Sequence, residues 1–359
     1  MTDEHSISRR SILGSALALG AAGIVAGKDA HAQSAPPAHV HSDGRTCFDV
    51  HHHFLPPDYV SAVGVEAIGA PAGGKFPKWV PANSIDVMDQ NGLATAMLSV
   101  SAPGIPLDDI PLIRKIARGC NEFAAQMATD HPGRFGSFAT LPLPDIDACL
   151  AEIQYAMDVL HADGLSLHTN FRDKYLGDAM YTPIYEEMNR RKAVCFVHPD
   201  ICSCGGNLVG GVPAAGIEFP HDTTRTIVSL IASGVLVRYP EIKFIFSHAG
   251  GTFPYIANRV AMLIPMFAPE SREYLAQTMA LTQKLYFDTA LSANKTTLPA
   301  LLSLVKPTQV LFGSDFPFAP APLTKATVEG LHSIGLDTEV VKAIEYGNAL
   351  RIFPRFAKG

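Results

Sequence analysis

Eight short apolar runs, each followed by a longer polar-apolar stretch, narrow the possible folds of this chain more than any other feature. The runs fall at residues 46–50, 95–100, 135–139, 164–167, 194–197, 243–247, 285–288 and 309–312. They are bounded by Gly and Pro and do not alternate polar with apolar, which is the pattern of strands buried on both faces of a parallel sheet. Helix-like stretches lie between them, for example at 109–128, 146–161, 181–191, 223–238 and 296–304. Eight β-then-α units predict an α/β fold, a (β/α)8 TIM barrel over residues 46–359. A doubly wound open sheet is the competing arrangement, but no G-x-G-x-x-G turn follows the first run. With 47% hydrophobic and 17% charged residues the chain can bury a large core. Its net charge of −6 leaves no basic footprint for nucleic acid.

The N-terminus reads as an address. Ser8-Arg9-Arg10-Ser11 precedes a weakly hydrophobic Ala/Gly-rich run, and Ala30-His31-Ala32 offers small residues at the cleavage positions. This predicts a twin-arginine (Tat) signal over 1–32, a Pro/Ser/Ala-rich linker over 33–45, and a periplasmic or secreted protein with no membrane contact after cleavage. The apolar run is shorter than the ~20 residues a transmembrane helix needs. Export permits disulfides among the six cysteines, yet Cys202-Ser203-Cys204 is not the redox C-x-x-C spacing. The long connection at 54–83 carries Trp79 and is expected to form a flap over the barrel mouth.

Polar residues gather where the runs end. His51, His52 and His53 close the first strand, and strand geometry sends His51 and His53 one way and His52 the other. Two imidazoles converging from one strand end make half of a metal site. His198 ends the fifth strand, His248 the sixth and Asp315 the eighth. In a barrel these ends share one mouth. Burying such groups unpaired would cost several kcal/mol, whereas a metal satisfies them together.

This pattern resembles the amidohydrolase superfamily of metal-dependent hydrolases. It looks most like the branch that contains aminocarboxymuconate-semialdehyde, γ-resorcylate and 6-methylsalicylate decarboxylases. Further matches are Tyr175-Leu176-Gly177-Asp178, Asp222-Thr223-Thr224-Arg225 and His248-Ala249-Gly250-Gly251-Thr252-Phe253-Pro254. The resemblance implies one divalent metal, Zn2+ first and Mn2+ second, held by His51, His53, His198 and Asp315. It also implies His248 as acid/base, with Asp315 tuning it. Arg259, eleven residues after His248, matches an arginine that in those decarboxylases enters the neighbouring subunit's site and pairs with the substrate carboxylate. That implies a homodimer or higher homo-oligomer.

Two departures stand out. The fourth strand end lacks the lysine that bridges two metals in binuclear members and carries His168 instead, a residue for packing, a backbone hydrogen bond or the pocket wall. Gly251 stands where γ-resorcylate-type members carry a glutamate. Phe54, Trp79, Phe316 and Phe318 neighbour the motifs, and Trp79 and Phe318 are candidate substrate contacts. The expected activity is decarboxylation of a small aromatic or unsaturated carboxylic acid. The same parts can hydrolyse an ester, lactone or amide, or hydrate a double bond. A periplasmic metal- or solute-binding protein is the non-enzymatic alternative.

Overall fold

Strand β1 (Cys47–His53) continues three residues past its apolar run and carries all three histidines within the strand. In the computed structural model, which describes residues 46–205, 209–263, 266 and 268–358, it opens a parallel sheet of eight strands. The others follow in chain order: β2 (Leu93–Ser99), β3 (Phe135–Thr140), β4 (Gly164–His168), β5 (Val194–His198), β6 (Lys243–Phe246), β7 (Tyr286–Asp288) and β8 (Val310–Leu311). The sheet closes where Val50 N donates to Phe312 O at 2.9 Å and His53 N to Phe316 O at 2.7 Å. This is the expected (β/α)8 barrel, and because all strands are parallel their C-terminal ends share one mouth. The signal and linker expected over residues 1–45 lie outside the described residues.

The barrel interior below the mouth is filled by Phe48, Val50, Met97, Phe138, Phe196, Ile245 and Leu311. Phe353 closes the floor, its ring stacked on Phe48 at 5.7 Å. Outside, amphipathic helices cover the strands. Ile110–Asp130 is typical: the Asp109 carboxylate caps Leu112 N, and Ile113, Ile116, Ala117, Cys120 and Ala124 fall on one buried face.

The helix expected at 223–238 is different. It begins nine residues earlier, as Ala214–Ala232, and a separate turn follows at Val235–Arg238. Pro220, which ordinarily ends a helix, sits inside it, and Gly234 at φ +74° supplies the break. The earlier start matters because Ala215, Gly216, Phe219 and Pro220 form one wall of the mouth.

Candidate active site

Three imidazoles at the mouth are held the same way. His51 Nδ1 bonds Asp288 Oδ2 at 2.8 Å, His53 Nδ1 lies 3.1 Å from Ser99 O, and His198 Nδ1 lies 2.8 Å from Pro199 O. The Asp288 carboxylate and the two carbonyls are acceptors, which places a proton on each Nδ1 and turns each Nε2 inward, where it would serve as a metal donor once unprotonated. One nitrogen from each ring and one oxygen of Asp315 all lie within 4.8 Å of one another.

These atoms do not satisfy each other. Asp315 Oδ1 is 3.2 Å from His51 Nε2 and 3.1 Å from His53 Nε2, yet it is buried without a hydrogen bond. The two Nε2 atoms are 3.0 Å apart. Nitrogen and carboxylate donors converging this closely could hold a cation among them. The set fits one divalent metal, with three imidazoles and one carboxylate as donors. His52 faces the other side, between Asp49 Oδ2 at 3.0 Å and Ser84 Oγ at 2.8 Å.

The backbone is bent to serve this arrangement. Asp49 accepts from the amides of His51 and Ser314 and from the Ser314 hydroxyl, tying β1 to the loop after β8. Asp315 then adopts φ +64°, and His248 and Ala249 adopt +54° and +57°, conformations that persist where surroundings enforce them. Gly313 is obligatory, since a Cβ there would lie 2.8 Å from His51 Cβ.

Electrostatics follow from burial and neighbours. Burial pushes His51 down, but the Asp288 and Asp315 carboxylates outweigh it and raise the group to about 10. Burial lowers His53, and burial with the adjoining imidazoles holds His198 well below the usual histidine range. Asp315 is pushed up by burial, yet the surrounding histidines keep it well below the usual carboxylate range.

Above the cluster lies a cavity of about 410 Å³. His198, His248 and Asp315 form its base, and Phe219, Leu291 and Phe318 are among its walls. His248 is 8% exposed, its Nε2 is 3.4 Å from Asp315 Oδ2, and its Nδ1 has no partner. No lysine or arginine lines the cavity among the described residues.

The remaining expected residues divide. Phe318 reaches the cavity and packs on His53. Trp79 does not: it is buried, donates to Ser84 Oγ and packs against Phe54 and Phe123. The flap's contribution comes instead from Pro71 and Ala72. Phe316 packs on His52 behind the strand. Arg259 is exposed on the helix Phe253–Met262 and is not in this chain's own cavity. His168 lines a separate cavity. Sequence reasoning missed Asp288, whose only signal is an acidic residue at the end of the seventh run.

The amidohydrolase family profile matches residues 48–355. The chain belongs to the amidohydrolase family. A decarboxylase of Aspergillus niger, yanB, is 39% identical over 328 residues, covering 86% of this chain and 87% of its own. The 6-methylsalicylic acid decarboxylase of Penicillium expansum is 38% identical, covering 86% and 96%. The dihydroxybenzoic acid decarboxylase of a Polaromonas species, solved with manganese and 2-nitroresorcinol, superposes with a TM-score of 0.73 at 21% identity, covering 86% and 96%. It shares the fold.

Proposed function

We propose that the chain is a metal-dependent, non-oxidative carboxy-lyase acting on a small aromatic or unsaturated carboxylic acid. The observation that carries this reading is the convergence of three inward-facing Nε2 atoms and the unpaired Asp315 Oδ1 beneath an apolar cavity, beside His248. Kinship with an enzyme named for 6-methylsalicylic acid supports the substrate class.

His51, His53, His198 and Asp315 would hold the metal, Zn2+ or Mn2+. When bound, the ion supplies positive charge that attracts a carboxylate and an adjacent hydroxyl. Phe219, Leu291 and Phe318 grip the ring and exclude water. The bond between ring carbon and carboxylate breaks, its electron pair stays on the ring carbon, and the proton carried by the His248 imidazole completes the new C–H bond. Carbon dioxide leaves. Asp315 Oδ2 steadies the protonated imidazole before transfer.

Two further elements belong to this reading. Arg259 enters the site of a second copy in a homodimer and pairs with the substrate carboxylate, a task its forked guanidinium suits. Residues 1–32 direct Tat export to the periplasm.

Metal-loaded full-length protein screened against hydroxybenzoates, with CO2 release and ring absorbance followed together, tests the reading. One CO2 per ring transformed is expected. Ester or lactone cleavage without CO2 from any acid would make the chain a hydrolase.

A further inference from the structure

One sequence motif takes no part in the chemistry at the mouth. Cys202-Ser203-Cys204 lies in the loop that leaves β5 after His198. A tight turn, closed where Gly205 N donates to Cys202 O at 2.9 Å, folds this segment back on itself. The Ser203 amide, at 2.6 Å, and the Ser203 hydroxyl both donate to the Asp173 carboxylate and pin the turn from outside. The Cys202 and Cys204 side chains, both free thiols, are thereby brought into contact as hydrogen-bond partners.

The two thiols differ in access. Cys204 is exposed, whereas Cys202 is only 3% exposed. Arg225, on the helix Ala214–Ala232, places its Nη1 at 3.6 Å from Cys202 Sγ. An accessible thiol backed by an enclosed one beside a guanidinium is an arrangement suited to exchange. The other cysteines are not: Cys47, Cys120, Cys149 and Cys195 are buried, and burial pushes each thiol up, Cys120 to about 12. The thiolate is the reacting form, so these four stay inert in the folded chain.

A metal ion does not suit the pair. No third histidine, cysteine or carboxylate converges with the two sulfurs among the described residues, and the Arg225 charge repels a cation. A covalent bond between the sulfurs would close a ring of three residues. The stabilisation a disulfide brings grows with the loop it closes, so this one would add little to the fold. With one sulfur exposed, the bond would also stay open to exchange. Both properties describe a reversible centre rather than a structural staple.

We propose that Cys202 and Cys204 form a reversible dithiol–disulfide site that exchanges with small disulfides such as glutathione disulfide. The Cys204 thiolate attacks one sulfur of the small disulfide, forming a mixed disulfide and releasing the first small thiol. Cys202 Sγ then attacks Cys204 Sγ, the bond from Cys204 to the small molecule breaks, and the second small thiol leaves. Two electrons pass from the protein to the small disulfide, and the two cysteine protons end on the released thiols. The site does not depend on the decarboxylase reading.

Full-length protein equilibrated with glutathione and glutathione disulfide at rising ratios, then alkylated and mapped by peptide mass, tests the proposal. A hydrogen bond to Cys202 holds the Cys204 thiol above its usual range, so mildly alkaline buffer is used. Two of the six thiols are expected to disappear together, both within residues 202–204, and to return with dithiothreitol. Cys202→Ser should instead accumulate a stable glutathione adduct on Cys204, because the sulfur that resolves it is gone. Cys204→Ser should take up no adduct on the enclosed Cys202. Survival of all six thiols in excess glutathione disulfide, or a loss that maps to other cysteines, overturns the proposal. So does a Cys202→Ser protein that carries no more adduct than the unaltered chain. Should a variant not fold, the mapping of the unaltered protein decides alone.

Discussion

Asp288 Oδ2 lies 2.8 Å from Nδ1 of His51, across 237 residues of sequence, and fixes which nitrogen of that ring faces His53, His198 and Asp315. Its other oxygen accepts the His248 backbone N–H at 2.8 Å. One buried carboxylate at the end of β7 thus orients His51, the proposed metal donor, and anchors His248, the proposed acid/base.

Replacing Asp288 with Asn should therefore weaken metal binding about 10–100-fold, as expected for a group that orients a ligand. His51→Ala or His198→Ala should abolish it. His52→Ala should keep the metal but lower stability by about 1–3 kcal/mol, because Asp49 and Ser84 lose a buried partner. Metal analysis and urea unfolding of the four variants check this; a metal-free His52→Ala protein would contradict it.

His248→Gln should retain metal and lose about 10²–10⁴-fold in turnover, the usual share of a general acid. Asp315→Asn should lower both, since an amide is a poorer donor and cannot steady a protonated imidazole. Full metal in Asp315→Asn beside an empty His248→Gln would reverse the two roles.

Metal loading should release protons. In metal-free protein His51 sits at about 10, so at pH 7 its ring carries two protons and one must leave before Nε2 can donate. His53 and His198, both lowered, have none to release. Apparent metal affinity should rise by up to about tenfold per pH unit as pH increases toward 10. Titration in weakly buffered solution at pH 7 should record close to one proton per metal; none would show His51 already neutral.

Gly251→Glu should not restore the glutamate of γ-resorcylate-type relatives. Gly251 has φ +65°, and a Cβ there would lie 2.0 Å from Pro220 O. The variant is expected to lose stability by several kcal/mol, read by thermal unfolding. An unchanged melting temperature would show the loop free to rearrange.

If Arg259 completes a neighbour's site, mixing Arg259→Ala with His248→Gln subunits should restore activity, because each mixed dimer then contains one intact site. No recovery, with subunit exchange confirmed by mass spectrometry, would leave Arg259 outside that site.

The sequence alone determined the barrel and the polar strand ends, because both rest on short-range rules; the family resemblance then set the four candidate metal donors apart from His248. Doubly buried strands read as unbroken apolar runs, parallel strands share an end, and residues two apart in a strand face together. His51 and His53 were therefore legible as a pair and His52 as the odd one out, and His198 and Asp315 as strand-end donors. Tertiary structure decided what depends on register between distant segments. It made Asp288 rather than any other strand-end acid the partner of His51, turned Trp79 toward Phe123 rather than the cavity, and carried the helix Ala214–Ala232 through Pro220. It also turned Cys204 outward and Cys202 inward beside Arg225, a division the C-x-C spacing does not mark. A side chain's direction is local, but its partner is chosen by how the closed sheet brings separate strands together.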